Sequence, residues 1–196
     1  MIWHGGGYGI AVNPNFVFQY YQDGFAPAPA WEVTTGALNQ IRLLNGAIES
    51  FSDSYKDIAR AVQMFESLKI LPRQSEFQVL GLFGIIELLI THAPRAAEIG
   101  DSIRHQVRTK IPLLARHSGQ HIDYKAFFPG CTEDKAWDLL YNYRSRLAHG
   151  GEPNFVGSLK LLKDRGTALR FLRYATKCLI RYALQEPQLF VDLREC

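Results

Sequence analysis

Residues 34–69 read TTGALNQIRLLNGAIESFSDSYKDIARAVQMFESLK. Ala37, Ile41, Leu44, Ile48, Phe51, Tyr55, Ile58, Val62 and Phe65 follow one another at steps of 4-3-4-3-4-3-4-3. That spacing places an apolar seam along one side of a long helix. Thr34 or Thr35 can cap its start, and Pro72 lies just past its end. One helix of this length can cover a small domain, so the seam predicts a helix of an intramolecular bundle; a coiled-coil dimer is the alternative.

Downstream, the same period recurs. Ser75 to His92 is apolar nearly all round and predicts the central helix, with Glu87 its only charge between Glu76 and Arg95. A third helix should begin near Asp101 or Ser102, with Ile103, Val107, Ile111 and Leu114 as its stripe. Arg104, Arg108 and Lys110 are expected off that stripe, and Pro112 is expected to kink or restart the helix. Residues 118–131 predict a loop with Phe127-Phe128-Pro129-Gly130 as a packed turn. Thr132, Glu133 and Asp134 open a fourth helix running to His149. A final long, basic helix is expected over 158–185, weakened or bent at Gly166 and ending before Pro187. Together these five helices predict an all-α bundle over residues 33–196. Residues 1–32 are rich in Gly, Pro and aromatics and predict an irregular appendage, with FVFQYY as a short strand and APAPA as a linker.

Composition narrows the class. Hydrophobic residues make up 47% of the 196, enough for a sizeable core. The three cysteines, Cys131, Cys178 and Cys196, are odd in number and scattered, which suits a reducing cytoplasm rather than a disulfide framework. The N-terminus lacks the charged and apolar regions of a signal peptide, and the apolar run around 79–90 is too short to span a bilayer, so no membrane role is expected. Net charge is +3, but unevenly spread. Residues 1–100 carry 6 Lys/Arg against 9 Asp/Glu, while residues 101–196 carry 16 against 10. The basic half is either a solvated face or a polyanion-binding surface.

In that half, residues 139–151 read LLYNYRSRLAHGG. Trp137, Leu140, Tyr141, Leu147 and Ala148 keep helical spacing, and Arg144 falls within their stripe. An arginine there must meet a carboxylate, a phosphate or a partner chain. Glu87 is one candidate mate; an internal ion pair, or a guanidinium snorkelling at the bundle edge, is the plain structural reading. Arg146 points the other way and reads as a solvated charge or a supporting residue. His149 lies five residues past Arg144, about 140° around the helix. Gly150-Gly151 can break the helix there. Asn142 and Ser145 share the side of His149 and could orient it or a substrate.

The string Arg144-Ser145-Arg146-Leu147-Ala148-His149 resembles the R-x4–6-H motif of HEPN domains (higher eukaryotes and prokaryotes nucleotide-binding). YRSRLAHGG is most similar to the ApeA-like subgroup, in which an RS…HG string is typical and an E-L-L element stands in an earlier helix, here Glu87-Leu88-Leu89. Asp101 to Gln106 is similar more weakly, and the resemblance covers about residues 34–185. It implies a helical bundle, a homodimer whose two motifs face each other, and a metal-independent endoribonuclease without a cofactor. It also implies RNA as substrate, a role as toxin or antiviral-defence module, and a possible antitoxin or defence-system partner protein. The implied catalytic pair is Arg144 on the phosphate and His149 in acid–base work. Asn142, Ser145, Glu87 and Arg146 would support them. The same motif in a non-catalytic member would bind RNA or nucleotide, or hold a partner.

Other chemistries find little footing. No G-x-S-x-G is present, and the GGGYG of residues 5–9 lacks the Lys-Ser/Thr of a phosphate loop. His105, His117 and His121 lack a Cys or acid to complete a metal site, so no metal is expected.

Overall fold

The computed structural model describes residues 34–49, 51, 53–73, 75–94, 102–119 and 122–195. The N-terminal readings, FVFQYY and APAPA included, lie outside the described residues. By its contacts the chain divides into two compact units, residues 1–41 and 42–196. Among the described residues every regular element is helical, and no helix is long and apolar enough to cross a membrane.

The seam of residues 34–69 does not form one helix. It forms α1 (Thr35–Glu49) and α2 (Lys56–Ser67), separated by a short 3-10 turn at Asp53–Tyr55. The apolar spacing runs unbroken through the gap, but Asp53 and Ser54 are residue types whose side chains compete for backbone hydrogen bonds. Thr34 Oγ1 accepts from the Ala37 amide at 3.1 Å, as its capping position predicts. Helix α1 buries none of its residues, whereas α2 buries Ile58 and Ala61.

Helix α3 (Glu76–Ile90) is the axis of the second unit and packs against α2, α4 (Ile103–His117), α6 (Glu133–Ala148), α7 (Arg165–Gln185) and α8 (Pro187–Glu195). Eight of its fifteen residues are buried, as a helix apolar on all sides requires. Ser75 and Ser102 cap α3 and α4. Pro112 lies inside α4 without ending it. Lys110 corrects the expectation for α4: it is only 8% exposed, and its Nζ reaches Gln106 Oε1 at 3.3 Å. At 100° per residue Lys110 falls on the Ile103–Val107–Leu114 face, so periodicity had placed it inward.

The predicted loop at 118–131 contains a one-turn helix, α5 (Tyr124–Phe127), capped by Asp123. The aromatic turn packs as expected: the Phe128 ring lies 5.1 Å from that of Phe171, which also meets Trp137 at 5.5 Å. The last predicted helix breaks at Lys163-Asp164, not at Gly166. A 3-10 turn (Lys160–Leu162) ends at Lys163, whose φ of 65° and ψ of −76° are those of a γ-turn, closed by Asp164 N–H on Leu162 O at 2.9 Å. Asp164 then caps α7, its carboxylate accepting from the Thr167 amide at 2.8 Å and hydroxyl at 2.7 Å. Those bonds hold its carboxyl below the usual range. Pro187 does not simply stop the chain; it opens α8 at the first helical position, where its missing N–H costs nothing.

Candidate functional site

Thr132 starts α6 by accepting from the Lys135 amide at 3.3 Å, with Glu133 and Asp134 in the first turn. Asp138, one turn on, fastens α6 to α4. It accepts from Arg104 Nε at 2.8 Å and from Lys135 Nζ at 3.3 Å. Burial works to raise its carboxyl, but the hydrogen bonds and charges of Arg104 and Lys135 outweigh that and hold it below the usual value. Arg108 adds a bidentate pair with Asp134 at 2.7 and 2.8 Å. The phase of α6 is therefore fixed at its start, and everything at its other end inherits it.

That other end closes in a Schellman motif. Gly150 N–H donates to Leu147 O at 3.1 Å and Gly151 N–H to Arg146 O at 2.8 Å. Gly150 has φ of 70°, a conformation a side chain resists. His149 is the cap residue, exposed, at the mouth of an open cleft of about 410 Å³. Asn142, Ser145, Arg146 and His149 line one wall, and Ser158 and Leu159 the other. Among the described residues no side chain hydrogen-bonds the His149 ring and no carboxylate pairs with Arg146. The arrangement offers a solvated imidazole, a guanidinium, an amide and a hydroxyl on one concave surface, a set suited to an anionic ligand.

Arg144 does not line that cleft. Its Nη2 donates to Glu87 Oε2 at 3.2 Å, with side chains 29% and 16% exposed, and its guanidinium lies 5.8 Å from the centre of the Tyr141 ring. Glu87 Oε1 and Arg144 Nε are buried without a hydrogen-bond partner. Burial pushes the Glu87 carboxyl up, more strongly than Arg144 pulls it down, because only one of its two oxygens is compensated. The six candidate residues thus fall into two groups: Asn142, Ser145, Arg146 and His149 at the cleft, and Arg144 with Glu87 in the seam between α3 and α6.

The opposite wall was not foreseen. Ser158 and Leu159 belong to the irregular stretch after the Gly-Gly break, and only tertiary packing brings them near His149. On the far side of Gly151, a second hollow of about 350 Å³ holds Glu76, Glu152 and Arg165, with Arg165 paired to Glu76. Of the histidines considered for a metal, His117 Nε2 meets Glu186 at 3.1 Å, and His121 lies outside the described residues. No cluster of three His, Cys, Asp or Glu suited to a metal occurs among the described residues. No protein-family model matches the chain, and neither a curated protein nor a solved structure matches it.

Proposed function

We propose that the chain is a HEPN-type, metal-independent endoribonuclease that works as a homodimer, in a toxin or antiviral-defence setting. The observation that carries this reading is the exposed His149 in one cleft with Asn142, Ser145 and Arg146, at the end of a helix whose other side presents Arg144. In the reaction the RNA 2′-oxygen attacks the adjacent phosphorus, its proton goes to a base, and the 5′-oxygen leaves with a proton from an acid. An imidazole titrating near neutrality can take either part. A guanidinium braces the pentacoordinate phosphorane with paired hydrogen bonds. Arg146 lines the same cleft as His149, which supports such a part for it. Arg144 joins when a facing protomer brings its cleft alongside the α3–α6 seam.

A second reading has its own support. Arg144 is engaged by Glu87, and the His149 ring has no orienting partner among the described residues, as a non-catalytic RNA-binding or scaffolding module would allow. Incubating the protein with structured and single-stranded RNAs in EDTA, beside H149A, separates the two. The nuclease reading expects 2′,3′-cyclic phosphate ends from the wild type and none from the folded variant. A 3′-hydroxyl product, or an absolute metal requirement, overturns it. Salt-sensitive binding of RNA that stays intact supports the module.

A further inference from the structure

The polar side chains of the His149 cleft form one stripe on α6. At 100° per residue, Asn142, Ser145, Arg146 and His149 fall within an arc of about 100°, and all four line the hollow. Among the described residues none of these four side chains has a hydrogen-bond or ion-pair partner, and neither has Ser158 on the opposite wall. Elsewhere on the same helix Asp134, Lys135, Asp138 and Arg144 are each paired. Unsatisfied groups are thus gathered where the surface is concave, and a polar ligand of matching shape would satisfy them.

The stripe is also graded. Arg146 and His149 are exposed, whereas Asn142 and Ser145 are half-buried and share the hollow with Leu159, which is 1% exposed. At the outer end an anion meets a guanidinium and keeps part of its hydration. At the inner end a charge would lose water with only an amide and a hydroxyl to replace it, so a neutral group with a hydrogen-bonding edge fits better. Asn142 and His149 are seven residues apart, about 10 Å along the axis. A single ligand that reaches both must carry its anion and its neutral edge at opposite ends, as a nucleotide does.

We propose that Asn142 reads a nucleobase at the inner end of the cleft, and that the base it selects is adenine. The inference rests on the RNA reading above and adds which nucleotide the site takes. The Asn142 amide sets a donor beside an acceptor. Adenine answers that pair on both its Watson–Crick and its Hoogsteen edge, N6–H with N1 or with N7; the other three bases answer it on one edge only. The Hoogsteen edge of guanine offers two acceptors, which suit a guanidinium instead. Arg146 at the outer end takes the phosphate, which fixes the strand without reading sequence.

Chemical-shift titrations of the isotope-labelled protein with AMP, GMP, CMP, UMP and ribose 5-phosphate read site and affinity together. AMP should bind on the order of tenfold more tightly than ribose 5-phosphate, and ahead of the other three nucleotides. N142A should bring the ratio of AMP to ribose 5-phosphate affinity close to one. If N142A melts early, the nearly isosteric N142D still decides the point, because it loses the donor and with it the adenine preference. Equal binding of the four nucleotides by the wild type overturns the subsite. So does a guanine preference, which assigns base reading to Arg146, or a loss in N142A that is the same for AMP and ribose 5-phosphate. The nuclease reading stands or falls separately. Adenine-selective binding by a protein that cleaves no RNA in EDTA upholds the subsite alone, and cleavage indifferent to base, beside equal nucleotide binding, removes only the subsite.

Discussion

Arg144 of α6 is tied to Glu87 of α3, Nη2 to Oε2 at 3.2 Å, while His149 faces a cleft on the other side of the same helix. One helix thus separates the two residues of the motif, and the ion pair decides which of them is available. Removing Arg144 leaves a largely enclosed carboxylate without its cation. R144A should cost about 2 kcal/mol, and R144A/E87Q should recover part of it, a coupling a double-mutant cycle reads directly. Equal denaturation midpoints for R144A and wild type would show that the pair contributes nothing.

The same carboxyl gives a pH signature. Burial raises Glu87 above its ordinary 4.5, so its contribution to stability is present below that value and is lost as pH rises through the raised one. E87Q should flatten the stability curve across that window. Denaturant titrations of both proteins from acid to neutral pH check this, and parallel curves would remove the assignment.

Asp138 has the opposite sign. Its depressed carboxyl contributes stability above about pH 3.8, lost as pH falls through the lower folded value. D138N should cost about 1–2 kcal/mol at neutral pH, with the loss shrinking in acid, since Arg104 is partly solvated. A variant equally destabilised at all pH values would point to packing instead.

Backbone strain gives two further tests. K163G should stabilise by about 1 kcal/mol, because glycine accepts the γ-turn that lysine resists. G150A should destabilise by about 1 kcal/mol, with a shift in the His149 cleft visible as changed imidazole resonances. A K163G that melts below wild type would show that the turn is held by the lysine side chain itself.

Where local chemistry decides a feature, the sequence was readable. Thr34, Ser102 and Thr132 cap where a hydroxyl precedes an apolar run, and α3 is buried because it is apolar on every side. The 3.6 period also put Asn142 and Ser145 beside His149. What escaped was competition between two local rules. The heptad seam continues through residues 51–55, yet the chain leaves the helix there for the 3-10 turn at Asp53–Tyr55. Asp164 outbids Gly166 as the break in the last segment because a cap needs a turn before it. The pairing of Arg144 with Glu87, 57 residues apart, was open among alternatives, and the wall formed by Ser158 and Leu159 had no local mark at all.

Helix α3 packs closely on α7, whose last turns lie about a hundred residues downstream. On the ribosome, a helix apolar on all sides must therefore wait roughly 5–20 s before its cover is synthesised. The nascent chain is most exposed to aggregation in that interval, and chains interrupted before α7 should be the ones that chaperones retain.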